Sequence, residues 1–152
     1  MRFIDTLTSR NGKVINLNKI DADVTDLAKR LKLSLMYLYG SYASGKAFSL
    51  SDLDIAFLAN KKFSSGQRLN FMDRLAEIFK EEAIDLVDLR NAPLTLIHRI
   101  LKEGKCLYAR SLSEKIEFET KNEGLYFDAA PIRREYEHAL LRRIENGAFG
   151  HR

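Results

Sequence analysis

The chain has 152 residues, 45% of them hydrophobic and 30% charged, with two prolines. This excludes collagen-like, low-complexity and intrinsically disordered classes, and no apolar run approaches the about 20 residues of a membrane span. The balance of 25 Lys+Arg against 21 Asp+Glu gives only +4, too mild a charge to signal nucleic-acid binding.

The opening Met1-Arg2-Phe3-Ile4-Asp5 meets an acid before any hydrophobic region forms, so a secretory signal is not expected. Cys106 stands alone and builds no disulfide framework, which leaves a reducing, cytoplasmic compartment as the expectation. From Asp21, the spacing of Val24, Leu27, Ala28 and Leu31 predicts a helix, with Asp21 or Asp23 as its N-cap. Leu33 to Tyr39 is a short apolar and aromatic run stopped by Gly40, the pattern of a buried strand, and Asp52 to Leu58 predicts a second. A helix then starts near Ser64 or Ser65 and carries Leu69, Met72, Leu75, Ala76, Ile78 and Phe79 on one face. Ala83 to Leu89 predicts a third strand. Pro93 opens a helix that Gly104 ends, and Lys105 to Ala109 predicts a fourth strand. The order describes an α/β (α+β) domain, a mixed sheet of about four strands flanked by helices. After Arg110 no strand is expected. Ser113 to Thr120 and a stretch from Pro131 predict helices, so residues 1–110 read as the core and 111–152 as a helical C-terminal extension, packed on the core or lent to a partner.

The chemistry concentrates between Tyr39 and Asp54. Gly40 and Ser41 close one strand and start a short helical turn, where glycine lets the backbone approach a phosphate, helix-opening N–H groups attract anions and Ser41 adds a hydroxyl. Asp52 and Asp54 are two apart on a strand, so both side chains leave one face. Two close carboxylates repel without a cation, and Mg²⁺ is the hard ion that takes carboxylate and phosphate oxygens. Asp85 offers a third acid on the next strand. It alternates with Asp88, so only one of the two points the same way as the pair. Three carboxylates beside a phosphate-binding turn suit a two-metal nucleotidyl-transfer site. A bare D-x-D is more often a pair of solvated acids on an edge strand; the Gly-Ser turn at fixed spacing is what makes this one specific.

Gly40-Ser41, ten intervening residues and Asp52-x-Asp54 resemble the signature of the polymerase-β-like nucleotidyltransferase superfamily, and Ala43, Gly45 and Ser51 agree with it. The resemblance covers roughly Val24 to Ala109, with Asp85 in the place of the third carboxylate. A chain this short looks like the minimal nucleotidyltransferase antitoxins of the MntA type. The tail residues Phe127, Asp128, Pro131, Arg143, Ile144, Gly147, Phe149 and Gly150 are similar to that group as well. The resemblance implies a protein adenylyltransferase that moves AMP from ATP to a tyrosine of a HEPN-domain ribonuclease toxin (HepT), using two Mg²⁺ ions. It implies catalytic and metal-binding roles for Asp52, Asp54 and Asp85, and phosphate binding by Gly40 and Ser41. It also implies a hetero-oligomer with the toxin and no direct contact with nucleic acid or membrane. The loop departs from relatives that carry arginines at the positions of Tyr42 and Ser44; Lys46 is the candidate replacement cation and Tyr42 the candidate adenine or ribose contact. Two other readings fit a transfer core: modification of a small molecule, as in aminoglycoside-modifying relatives, and a non-catalytic antitoxin acting by occlusion.

Other residues read as structural. His98 fits a surface or half-buried position, Cys106 a small core hydrophobe, Tyr37, Tyr39 and Phe57 the core, and Lys61-Lys62 solvated charge. Arg133 and His138 match the R-x4-H spacing of HEPN ribonucleases, but in a charge-rich helix such spacing arises easily by chance.

Overall fold

A computed structural model describes residues 6–8, 14–44 and 52–147. In chain order the elements are β1 (Thr6–Thr8), β2 (Val14–Asn16), α1 (Leu17–Arg30), β3 (Leu33–Tyr39), α2 (Gly40–Ser44), β4 (Leu53–Ala59), α3 (Ser65–Phe79), β5 (Ile84–Asp88), α4 (Leu94–Glu103), β6 (Lys105–Ala109), α5 (Leu112–Asp128) and α6 (Ala130–Glu145). The main sheet has the order β5-β4-β3-β6, with β4 and β5 parallel and the other two pairs antiparallel. The expected mixed four-strand sheet with helices is the observed fold.

Every residue of β3 is buried, because this central strand is covered on both faces, which is why its sequence is a continuous apolar run rather than an alternation. Met36 and Leu38 face the larger core layer, shared with Val24, Leu27 and Ala28 of α1 and Phe71, Leu75 and Phe79 of α3. Leu35, Tyr37 and Tyr39 face the other side, under Ile97 and Ile100 of α4, with Phe118 of α5 packed against them.

Local signals place the helices. Ser64 and Gln67 form a reciprocal capping box that starts α3. At Gly104 a side chain would collide with the carbonyl of Ile100 and lie 2.9 Å from that of Leu38; close packing on β3, not a left-handed φ, requires the glycine. Three expectations need correction. Helix α1 begins at Leu17, capped by Asn16 through its side chain 2.9 Å from the Asn18 amide, so Asp21 and Asp23 are helical residues and not caps. In α3 the buried face runs through Phe71, Leu75 and Phe79, while Leu69 is 62% exposed. The small antiparallel β1–β2 pair, with Leu7 opposite Ile15, was not expected, because three-residue strands are too short to show a period.

Beyond β6 the chain is helical, as expected, but α5 is longer than the predicted stretch. The Tyr37 hydroxyl donates to Glu119 at 2.8 Å, and His98 meets Glu123 at 2.9 Å, tying α5 to the sheet and to α4. Tyr126 stacks on His98 with ring centroids 3.7 Å apart, and Arg133 of α6 lies 3.6 Å over the Tyr126 ring. Neither α5 nor α6 contains a buried residue, and Phe127, Ile132 and Tyr136 are 64–72% exposed.

Phe71 sits edge-on to both Phe57 and Phe63. Phe71→Ala is expected to cost about 3–5 kcal/mol, whereas Leu69→Ala should stay within about 0.5 kcal/mol. Urea unfolding of both variants checks this; equal losses would contradict the assigned face.

Candidate active site

The site is built at one end of the sheet by strand register. Tyr39, the last residue of β3, pairs with Asp54 near the start of β4, and Asp54 pairs in turn with Asp85 near the start of β5. Directly paired residues point to the same face of a sheet, so Tyr39, Asp54 and Asp85 form a row across three strands. Asp52 lies just before β4, one residue outside the strand predicted to contain it, and is exposed. Its carboxylate is still close enough to perturb Asp54.

Asp54 is half-buried, and its carboxyl is pushed up to about 6. Burial is the largest cause, followed by the negative charges of Asp85 and Asp52, with Arg99 acting in the opposite direction. The Tyr39 hydroxyl is pushed up to about 12 by burial first, then by Asp54 and Asp85; Arg99 again opposes the shift. Tyr39 and Arg99 are thus part of this electrostatic cluster, and both were missed as site residues. Tyr39 was read as core, correctly for its ring but not for its hydroxyl. Arg99 carries no motif; its only signal is being a cation on the helix that follows the third carboxylate.

Gly40 has φ +74, and a side chain there would overlap Oδ2 of Asp54 and come within 2.9 Å of its Cγ. Two independent constraints, a left-handed backbone and the neighbouring carboxylate, therefore require glycine. The Gly-Ser turn and the acid pair are one packed unit. Ser41 follows, half-exposed, and its carbonyl accepts a hydrogen bond from the Ser44 hydroxyl at 3.1 Å.

The choice between Asp85 and Asp88 resolves geometrically. Asp88 pairs with Phe57, on the opposite parity from Asp85, and its carboxylate accepts from the Arg90 amide at 2.9 Å in the turn after β5. Only Asp85 joins the row. Tyr42 is a correction: it is 2% exposed and belongs to the core layer shared by α1 and α3, so its ring offers no face to an adenine or ribose. Lys46, Gly45 and Ser51 lie outside the described residues. His98 is half-buried against Glu123, Cys106 is half-buried with its thiol 3.4 Å from the Tyr108 carbonyl, and His138 and Lys61-Lys62 are exposed.

The donor set is chemically right for a hard divalent cation, since every candidate ligand is a carboxylate oxygen, and the raised Asp54 reports negative charge that a cation would offset. As the side chains lie, no three ligating groups among the described residues converge on one point.

A family model described as "Polymerase beta, Nucleotidyltransferase" matches residues 22–113, which spans both the turn and all three carboxylates. The chain belongs to this nucleotidyltransferase family. It is 35% identical over 95 residues to the protein adenylyltransferase MntA of Shewanella oneidensis, covering 62% of this chain and 67% of that protein. Among solved structures it resembles a toxin–antitoxin with AMP-PNP, with a TM-score of 0.67, 30% identity and coverage of 84% of this chain and 99% of that one. It also resembles a chain of the complex between the tri-AMPylated Shewanella oneidensis HEPN toxin and its MNT antitoxin, with a TM-score of 0.65, 26% identity and coverage of 82% and 98%. The structural likeness therefore covers more of this chain than the family match does.

The raised carboxyl of Asp54 has a consequence for stability. Its folded value of about 6 lies above the ordinary 3.8, so its contribution to folding is favourable below pH about 4 and is lost as pH rises through about 6. Asp54→Asn removes the charge and should raise the melting temperature of the metal-free protein by about 2–4 °C at pH 8, corresponding to about 1 kcal/mol once solvent screening is allowed for. The gain should disappear at pH 4. Calorimetry at the two pH values checks it; a variant no more stable at pH 8 would contradict the crowding of charge at this site.

Proposed function

We propose that this protein is an antitoxin that transfers AMP from ATP to a tyrosine of a HEPN-family toxin with which it assembles. The observation that carries the reading is the Tyr39–Asp54–Asp85 row locked against Gly40, within the nucleotidyltransferase match over residues 22–113 of a chain 35% identical over 95 residues to a protein adenylyltransferase. That a structural relative is a toxin–antitoxin with AMP-PNP supports ATP as the nucleotide, and the tri-AMPylated toxin beside another supports a protein acceptor.

Asp52, Asp54 and Asp85 would hold two Mg²⁺ ions, which would supply neutralisation of phosphate charge and a lower pKa for the attacking hydroxyl. The chain's own groups do the rest. Gly40 and Ser41 bind and orient the phosphates, a role that the close backbone approach at Gly40 permits. In the transfer, the acceptor tyrosine oxygen bonds to the α-phosphorus, the bond from that phosphorus to the bridging oxygen of the β-phosphate breaks, and pyrophosphate leaves. Asp85, the outermost carboxylate of the row, takes the hydroxyl proton. Positioning and charge neutralisation account for most of the rate.

Residues 1–110 form the transfer core, and the extension from 111 meets the toxin. Exposed Phe127, Ile132 and Tyr136 on helices without a buried residue support a partner-binding role for α5 and α6. Among the described residues no helix is long and apolar enough to cross a membrane, and with one cysteine the protein fits a cytoplasmic setting.

The test is incubation with ATP, Mg²⁺ and the cognate toxin, followed by mass spectrometry. Wild-type protein should add AMP to a toxin tyrosine. Asp52→Asn/Asp54→Asn should reduce the rate at least about 1,000-fold, the scale expected when groups placing transition-state charge are removed. AMP addition at the wild-type rate by the double variant would overturn the site. A triple-Asp variant that still neutralised the toxin would favour inhibition by occlusion.

A further inference from the structure

A triphosphate arriving beside Asp52, Asp54 and Asp85 brings further negative charge to an end of the sheet that is already crowded with it. The short turn after β3 reads Gly-Ser-Tyr-Ala-Ser and contains no cation. Lys105, at the start of β6, pairs with Leu38 and is itself partly buried, with its ammonium disfavoured by desolvation. Among the described residues, helix α4 supplies a further basic group near the row.

The course of α4 follows from the topology. Strand β5 ends at Asp88, at the far end of the sheet, and α4 runs back from Leu94 to Glu103 across the face that holds the carboxylate row. Gly104 then presses against the Leu38 carbonyl, and Lys105 pairs with Leu38, next to Tyr39. The last turn of α4 thus ends beside the residues paired with Asp54. Ile97 and Ile100, buried with Tyr39, fix the rotation of the helix. His98 is held on one flank by Glu123 and Tyr126 of α5. Arg99 is about 100° further round, away from that contact, exposed, and within electrostatic reach of both Asp54 and Tyr39. Its guanidinium carries no ion pair among the described residues, on a helix packed beside Tyr39 and close enough to bias Asp54 and Tyr39.

We propose that Arg99 binds the β- and γ-phosphates of the nucleotide from α4, acting as the cation that the Gly40–Ser44 turn lacks. This rests on the nucleotide-transfer reading above. An arginine suits the task because its planar fork donates two parallel hydrogen bonds to phosphate oxygens and never loses its charge. The clamp between α5 and His98 acquires a role as well, since it sets the rotation at which Arg99 is presented. Arg99 is thereby a specificity residue for triphosphate over monophosphate.

The experiment is isothermal titration of the full-length protein with AMP-CPP, whose α–β bridge resists cleavage, and with AMP, each with Mg²⁺. Arg99→Gln and Arg99→Lys are compared with wild type, with melting temperature as the folding control. Arg99→Gln should weaken AMP-CPP binding by roughly 10- to 100-fold, the range for loss of a charged hydrogen-bond partner, while leaving AMP binding within about twofold. Arg99→Lys should recover part of the loss, as a point charge without the fork. Equal weakening of AMP-CPP and AMP would mean that Arg99 only tunes Asp54 and would overturn the proposal, as would unchanged AMP-CPP affinity in Arg99→Gln. A wild-type protein that binds AMP-CPP with this dependence but transfers no AMP to toxin would leave Arg99 in its role and refute the acceptor reading alone.

Discussion

The structure turns on a repulsion. Strand register places Asp54, itself half-buried where charge is already disfavoured, directly beside the exposed Asp85, with the exposed Asp52 two residues away. No arrangement of the apolar core requires acids there; Leu53, Ile55, Ile84 and Leu86, on the opposite face of the same strands, make the core contacts. The row is an imposed cost, and the neighbouring features are organised around it. Gly40 leaves the space that the Asp54 carboxylate occupies, the Tyr39 hydroxyl borders it, and Arg99 offsets part of its charge. On the proposed function, a divalent cation bound with a nucleotide would relieve the remainder, and the crowding of charge would strengthen the affinity for that cation. Local destabilisation at a functional site is the usual stability–function exchange.

The rest of the fold supplies rigidity. Strand β3, buried along its whole length, and the aromatic group of Phe57, Phe63 and Phe71 hold β3 and β4 in one register. A slip of one residue would turn Asp54 to the opposite face and into the apolar layer. On the other face, α4 is fixed by Ile97, Ile100 and the contact at Gly104, and α5 is fastened to it through His98. The carboxylates, the glycine turn and the helix bearing Arg99 are in this way parts of one packed body. The faces of α5 and α6, in contrast, stay exposed, as the proposed partner-binding role requires.

Much of this was legible in the sequence because it rests on short-range rules. The seven-residue apolar run of β3, the Ser64–Gln67 box and the glycine after α4 each identify an element locally. The Gly40-Ser41 and Asp52-x-Asp54 spacing pointed to the candidate site because the glycine and the acid it accommodates lie only 14 residues apart in sequence (54 − 40). What stayed hidden depends on contacts distant in sequence. The inward orientation of Tyr42 is decided by packing against α1 and α3, and the choice of Asp85 over Asp88 by register with β4. The start of α1 at Leu17 was obscured because Asn18, Lys19 and Asp21 interrupt the apolar period in the first turns. Arg99 lies 45 residues beyond Asp54 in sequence (99 − 54) and bears on its charge only because α4 doubles back across the sheet.

That a half-buried Asp54, crowded by the exposed carboxylates of Asp52 and Asp85, would be relieved by a cation is tested most directly by carbon-detected NMR titration of the Asp54 side-chain carboxyl. Without divalent ions the account predicts a midpoint near 6. With saturating Mg²⁺ and AMP-CPP it predicts a midpoint at or below the ordinary carboxylate value of about 4. A midpoint near 4 in the metal-free protein, unmoved by Mg²⁺ and AMP-CPP, would contradict it.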